Sequence, residues 1–81
     1  MQEFTFTTSE VSIYETAKFV KQFAQTKSLF VNVETSGSSI HIELLHDISY
    51  LAFEELIDSI ISECLDRKAD INVTNVLFYN S

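Results

Sequence analysis

Few side chains in this chain have chemistry to offer: His41, His46 and a single Cys64, with Glu43 and Asp47 near the histidines. A zinc-like site needs three or four nitrogen, sulfur or carboxylate donors converging on one point. Strand alternation sends His41 and Glu43 to the outer face of a sheet, whereas helical spacing puts Cys64 on an inner face. The donors diverge, and no metal is expected. His46 lies near a helix start, where backbone amides favour an anion such as a phosphoryl group. Glu43 and Asp47 beside it oppose that, so a solvated turn histidine is the plainer reading. Cys64 falls beside Ile57, Ile60 and Ile61 with no cation near, and reads as a small core hydrophobe, not a nucleophile. Asn72-Val73-Thr74 matches a glycosylation acceptor but lacks a secretory context. No cofactor is implied, and the chain is not expected to be an enzyme.

Glu54, Glu55 and Asp58 are the densest charged group. A run of carboxylates on a helix usually keeps a small protein soluble. The sharper reading is a docking face for a protein partner with a basic surface.

Composition narrows the partners. Five Lys and Arg against twelve Asp and Glu give a net charge of -7, which repels nucleic acid and anionic lipid alike. Glu34 and Glu43 disfavour base stacking on the sheet despite the nearby aromatic Phe30. No window approaches a membrane span, and Met1-Gln2-Glu3-Phe4 has no basic region before an apolar run, so a cytoplasmic protein is expected. One Cys cannot form an internal disulfide, in keeping with a reducing compartment. With no Pro and a single Gly, nothing marks a linker, and residues 1–81 read as a single domain.

The elements that must position these residues follow from periodicity. Glu3-Phe4-Thr5-Phe6-Thr7 alternates as a strand with Phe4 and Phe6 inward. Ser12 and Glu15 fit a capping box, starting a helix that runs to about Lys27 and turns Ile13, Ala17, Val20, Phe23 and Ala24 to one side. Leu29 to Leu45 reads as a hairpin. A two-residue turn at Ser36-Gly37 sets Val33 opposite Ile40, Val31 opposite Ile42 and Leu29 opposite Leu44. Asp47 or Ser49 is the candidate cap of a second helix, which buries Phe53, Leu56, Ile57, Ile60, Ile61 and Cys64 and stops near Lys68, after Arg67. A last strand from Ile71 changes phase near Asn75, which predicts a bulge or bend there. The order βαββαβ, with two amphipathic helices, predicts an α+β two-layer open-faced sandwich: a four-stranded antiparallel sheet with both helices on one face. Phe30 opposite Glu43, Leu45 nearby, and Val76 or Phe78 facing out leave an apolar patch on the outer sheet face, a surface for a homodimer or another partner.

From Glu3 to Leu51, without gaps, the chain resembles the phosphocarrier protein HPr of the sugar phosphotransferase system. The similar positions include Phe4, Ala17, Gln22, Ala24, Val31-Asn32-Val33-Glu34, Gly37 and Leu51, and Lys68-Ala69-Asp70-Ile71-Asn72-Val73-Thr74 is similar to the family's last strand. The second helix is longer than in the family, and the chain stops where the family's closing helix would begin. The family's Gly-Ile-His-Ala-Arg-Pro-Ala signature is matched by Val11-Ser12-Ile13-Tyr14-Glu15-Thr16-Ala17, in which only Ala17 agrees. Ile13 cannot accept a phosphoryl group, and Glu15 would repel one. The regulatory Lys-Ser-Ile-Met-Gly segment is matched by Glu43-Leu44-Leu45-His46-Asp47, so Leu44 replaces the serine.

The resemblance therefore implies a non-enzymatic, HPr-like interaction or regulatory protein without phosphocarrier activity. Its docking surface would be Tyr14 and the start of the first helix, with the second helix's edge at Tyr50, Glu54 and Asp58. The alternative is a small acidic inhibitor or immunity-type protein on a ferredoxin-like sandwich, binding a basic enzyme or nucleic-acid-binding protein through Glu54, Glu55 and Asp58. The two differ in sheet order, since the first strand lies at an edge of an HPr-like sheet and inside a ferredoxin-like one.

Overall fold

The structure, a computed structural model, describes residues 1–9, 13–66 and 70–79. Its elements are β1 (Gln2–Thr7), α1 (Ile13–Thr26), β2 (Val31–Ser36), β3 (Ser39–Leu44), α2 (Tyr50–Asp66) and β4 (Asn72–Phe78). The strands form one sheet in the order β2-β3-β1-β4, and all three neighbouring pairs are antiparallel. This is the expected α+β open sandwich. β1 lies inside the sheet, between β3 and β4, which is the ferredoxin-like order and not the HPr-like one.

Inward residues of β1 and β3 alternate strictly, and Phe4, Phe6, Ile40, Ile42 and Leu44 are buried. α1 lies over β2 and β3, closing its stripe of Ile13, Ala17, Val20 and Ala24 onto them. α2 is held over β1 and β4 by Phe53, whose ring meets Phe4 edge-on at 5.7 Å between centroids and Phe78 at 5.1 Å. Leu56, Ile60 and Cys64 continue that buried stripe, while Ile57 and Ile61 are half-buried at its flank.

The hairpin register differs from the expected one by two residues. Val33 faces Ile42, Val31 faces Leu44, and Thr35 faces Ile40, with Gly37 and Ser38 forming the turn. Gly37 has φ +60°, and Ser28 is the only non-Gly residue among those described with a positive φ. This is the φ pattern of a type II′ turn, with Gly at the first central position. A turn at Ser36-Gly37 would have asked Ser36 to take the left-handed conformation. A shift of two keeps every side chain on its face, so the predicted inner face survives the wrong register.

The bulge in the last strand is present. Thr5 faces Asn75 and Phe6 faces Val73, which leaves Thr74 as the extra residue. Val73 and Val76 consequently both point to the helix side, opposite Phe6 and Phe4. Val76 and Phe78 are therefore not on the outer face, and Phe78 packs against Tyr50 and Phe53. Phe30 is likewise opposite Leu45, whose N–H donates to its carbonyl at 2.9 Å, and not opposite Glu43, which faces Asn32.

Helix ends follow local chemistry. α1 closes with Leu29 N–H donating to the Ala24 carbonyl at 2.9 Å and Ser28 N–H to Gln25 at 3.0 Å, around Ser28 at φ 58°. These two bonds make a Schellman motif, with Ser where Gly is usual. Ser49 caps α2: its Oγ accepts from Ala52 N–H at 3.2 Å. The Ser12 cap and the basic pair Arg67 and Lys68 fall outside the described residues.

The start of α2 is fixed by Gln2, which is buried at 1% exposure. Its Nε2 donates to the Ile48 carbonyl and its Oε1 accepts from Ile48 N–H, both at 2.9 Å. One side chain thus ties the connection before α2 to the central strand. A Gln2→Leu variant keeps the volume and leaves both Ile48 groups without this partner, so chemical denaturation should show a loss of about 1–3 kcal/mol. A loss below the error of the extrapolation would mean that the clamp is not holding this connection.

Candidate protein-binding site

α2 turns its buried stripe down onto β1 and β4, and helical geometry then aims Glu54, Glu55 and Asp58 at solvent. All three are exposed, as are Glu63 and Asp66 farther along. Between α2 and the C-terminal half of α1 lies a depression of about 230 Å³. Phe23, Leu29, Ala52 and Leu56 give it an apolar lining, and Lys27 and Glu55 stand on opposite sides. A second, more open hollow of about 350 Å³ shares Phe23, Lys27 and Ser59 and extends to Asp58 and Glu63. The result is an apolar trough with one acidic bank, while Glu54 lies on the same helix outside it. Lys27 is drawn over the Phe23 ring, 5.6 Å from its centroid, a cation–π contact. No described basic residue forms an ion pair with Glu54, Glu55 or Asp58.

The two tyrosines do not join this group as one surface. β1 and β3 run antiparallel, and the end of β1 meets the hairpin turn through Thr8 N–H to the Ser38 carbonyl at 2.9 Å. α1 begins at that end of the sheet, whereas α2 begins at the other, beside Gln2 and Ile48. Tyr14, 79% exposed, therefore belongs to the opposite end from Tyr50. It lines a separate hollow with Ala17, Lys18, Lys21, Val33 and Thr35. Tyr50 is beside the acidic face, with its ring edge-on to Phe78 at 5.2 Å.

Cys64 is buried, as its helical spacing indicated, and among the described residues no group of three or more His, Cys, Asp and Glu that could hold a metal ion is found. His46 stacks edge-on against Phe30, 5.6 Å between centroids, at the corner of the outer sheet face. His41 has partners that the linear sequence did not disclose. Its Nε2 is 3.3 Å from Glu3 Oε2 and its Nδ1 is 2.8 Å from Thr5 Oγ1. A carboxylate, an imidazole and a hydroxyl in series is the order used to activate a nucleophile. Here the three stand on a sheet face and line none of the hollows described above. The contacts join β1 to β3 as a cross-strand clip. Only the strand register brings Glu3 and His41 together, so local spacing held no signal for it.

The outer sheet face is less suited to self-association than its predicted apolar patch. Phe30 and Leu45 remain exposed at one corner, but Glu3 and Glu43 face each other directly in its middle and Glu34 lies opposite His41. No protein-family model matches the chain, and no curated protein matches it.

One carboxylate acts on the fold itself. Asp70 Oδ1 accepts from Ser9 N–H at 3.0 Å, joining the chain after β1 to the approach of β4. That hydrogen bond, the largest influence on it, holds the Asp70 pKa below the ordinary 3.8. A carboxylate with a depressed folded-state pKa stabilises fully above its unfolded value, and the stabilisation fades as pH falls through the folded value. The difference in stability between the native chain and Asp70→Asn should therefore be greatest above about pH 5 and should vanish at the acid end of a titration. A difference that is unchanged across that window would remove the carboxylate from this role.

Proposed function

We propose that this protein is a non-enzymatic interaction module that acts as a small acidic inhibitor or regulator of a partner with a basic surface. The observation that carries the reading is the position of Glu55 and Asp58 on the bank of an apolar trough between α1 and α2. Carboxylates exposed on a convex helix serve solubility. Carboxylates beside a concave apolar lining can steer a cationic partner and then bury its apolar side chains. Glu54 adds to the steering field, and Tyr50 supplies an aromatic edge at the same end. The chain's net charge of -7 favours fast encounter with a basic protein and is unfavourable for nucleic acid or anionic lipid.

The ferredoxin-like sheet order supports the inhibitor reading over an HPr-like scaffold. Phosphocarrier chemistry has no support in either case. Ile13, at the position of the family's acceptor histidine, is buried in the core, and neither His41 nor His46 lies at that place. Incubation with enzyme I of the phosphotransferase system and phosphoenolpyruvate should leave the protein unlabelled.

The direct test is affinity capture from the native cell with two baits, the native chain and a Glu54→Gln, Glu55→Gln, Asp58→Gln variant. A basic protein held by the native bait, released by salt and lost by the variant is the expected result. Equal retention by both baits would place the interface elsewhere, and stoichiometric phosphoryl label on either histidine would restore the phosphocarrier reading.

A further inference from the structure

Charge is divided unevenly between the two helices: α1 carries Lys18 and Lys21 against Glu15, and α2 carries five carboxylates and no basic residue. Residues 16–33 contain Lys18, Lys21 and Lys27 and no acidic residue, so this stretch carries +3 in a chain of net -7. Lys18 and Lys21 are exposed on α1, and neither forms an ion pair with a described residue. Both line the hollow of about 260 Å³ between α1 and β2, with Tyr14, Ala17, Val33 and Thr35. Lys21 also borders the next hollow along, of about 190 Å³, which includes Phe30, Val31 and Leu45. Together they follow the outer margin of β2.

β2 is an edge strand, and its hydrogen bonding indicates which backbone groups are open. In an antiparallel ladder, alternate residues turn N–H and C=O toward the neighbour. Leu45 N–H donates to the Phe30 carbonyl, so Phe30, Asn32 and Glu34 belong to the set that faces β3. Val31, Val33 and Thr35 then turn their backbone groups away from the sheet. Their side chains are those on the helix side, opposite Leu44, Ile42 and Ile40. Open donors and acceptors, half-buried valines and unpaired lysines therefore follow the same line.

We propose that the β2 edge takes an extended acidic segment of a protein partner as a fifth strand. Backbone bonds to Val31, Val33 and Thr35 would hold the segment, and the carboxylates on its helix-side face would reach the two hollows and meet Lys18 and Lys21, while its alternate apolar side chains continue the outer sheet face. Strand addition of this kind takes affinity from main-chain bonds and selectivity from alternate side chains. Charge complementarity selects the occupant. A basic segment meets two cations on the rim, and a second copy would bring Glu34 of each β2 toward the other. The other edge, β4, has no charged residue from Asn72 to Tyr79 to select a sign of partner. This surface is separate from the acidic trough and does not depend on it.

The test is an NMR titration of the full chain with a synthetic ten-residue peptide alternating valine and glutamate, with its valine and lysine counterpart as control. The acidic peptide should shift the amides of Val31, Val33 and Thr35 and of the Lys18–Lys21 turn, and the lysine peptide should not. A Lys18→Glu, Lys21→Glu variant should weaken binding at least about tenfold, the loss of one strong charge-assisted contact or more. Val33→Pro should abolish it, since proline is tolerated on an edge where its missing N–H faced solvent. If Val33→Pro does not fold, the lysine variant alone decides. Glu54→Gln, Glu55→Gln, Asp58→Gln should bind the peptide like the native chain. The proposal is overturned by no saturable binding, equal binding of both peptides, shifts confined to β4 or α2, or a dimer already paired through β2.

Discussion

The Phe53 ring, set edge-on to Phe4 and inclined to Phe78, is the contact on which the architecture depends. It fixes α2 to the central strand and to the edge strand at once. Truncating a buried Phe typically costs about 3–5 kcal/mol. A domain of this size has a total stability of only roughly 4–12 kcal/mol. One aromatic contact thus accounts for a large share of what keeps the second helix in place. Gln2 acts on the same element from its N-terminal end, so α2 is located by an apolar and a polar fastening that both originate on β1. The direction of Glu54, Glu55 and Asp58 is set by those fastenings, because a helix whose inner stripe is held has no freedom to rotate its outer one.

The layer of helices is electrically divided as a result. α1 covers β2 and β3 and carries Lys18 and Lys21, in no ion pair with a described residue, after a single Glu15, while α2 covers β1 and β4 and carries five carboxylates, Glu54, Glu55, Asp58, Glu63 and Asp66. The trough between them is apolar where Phe23 and Leu56 approach, and acidic only on the α2 side. Opposite charges on neighbouring helices that do not neutralise each other leave both free for something else. In a chain so acidic, the positive strip is the less expected feature. It coincides with the margin where the β2 backbone is open.

Much of this was legible in the amino-acid sequence. Helical spacing identified the inner stripes of α1 and α2, alternation identified Phe4 and Phe6, and the change of phase near Asn75 marked a bulge or bend. Register was not legible to the residue, because Gly37 can occupy either central position of a two-residue turn and both choices keep the same faces. Nor was the outward side of β4, since a phase change alone does not indicate which half faces the helices. Only pairing of Phe6 with Val73 and Phe4 with Val76 decides that. Gln2 and the Glu3–His41–Thr5 clip were hidden for a further reason: their partners lie some forty residues away along the chain. Tyr14 and Tyr50 were placed on one surface by the resemblance to HPr, yet successive helices of this strand order begin at opposite ends of the sheet.

The central claim is the order of strands, with β1 enclosed and β2 open. Native-state amide hydrogen exchange measures it residue by residue. The order β2-β3-β1-β4 predicts slow exchange at consecutive amides along β1, save at the bulge, and alternation along β2, slow at Asn32 and Glu34 and fast at Val31, Val33 and Thr35. Alternating protection along β1 would put that strand at an edge and contradict the account.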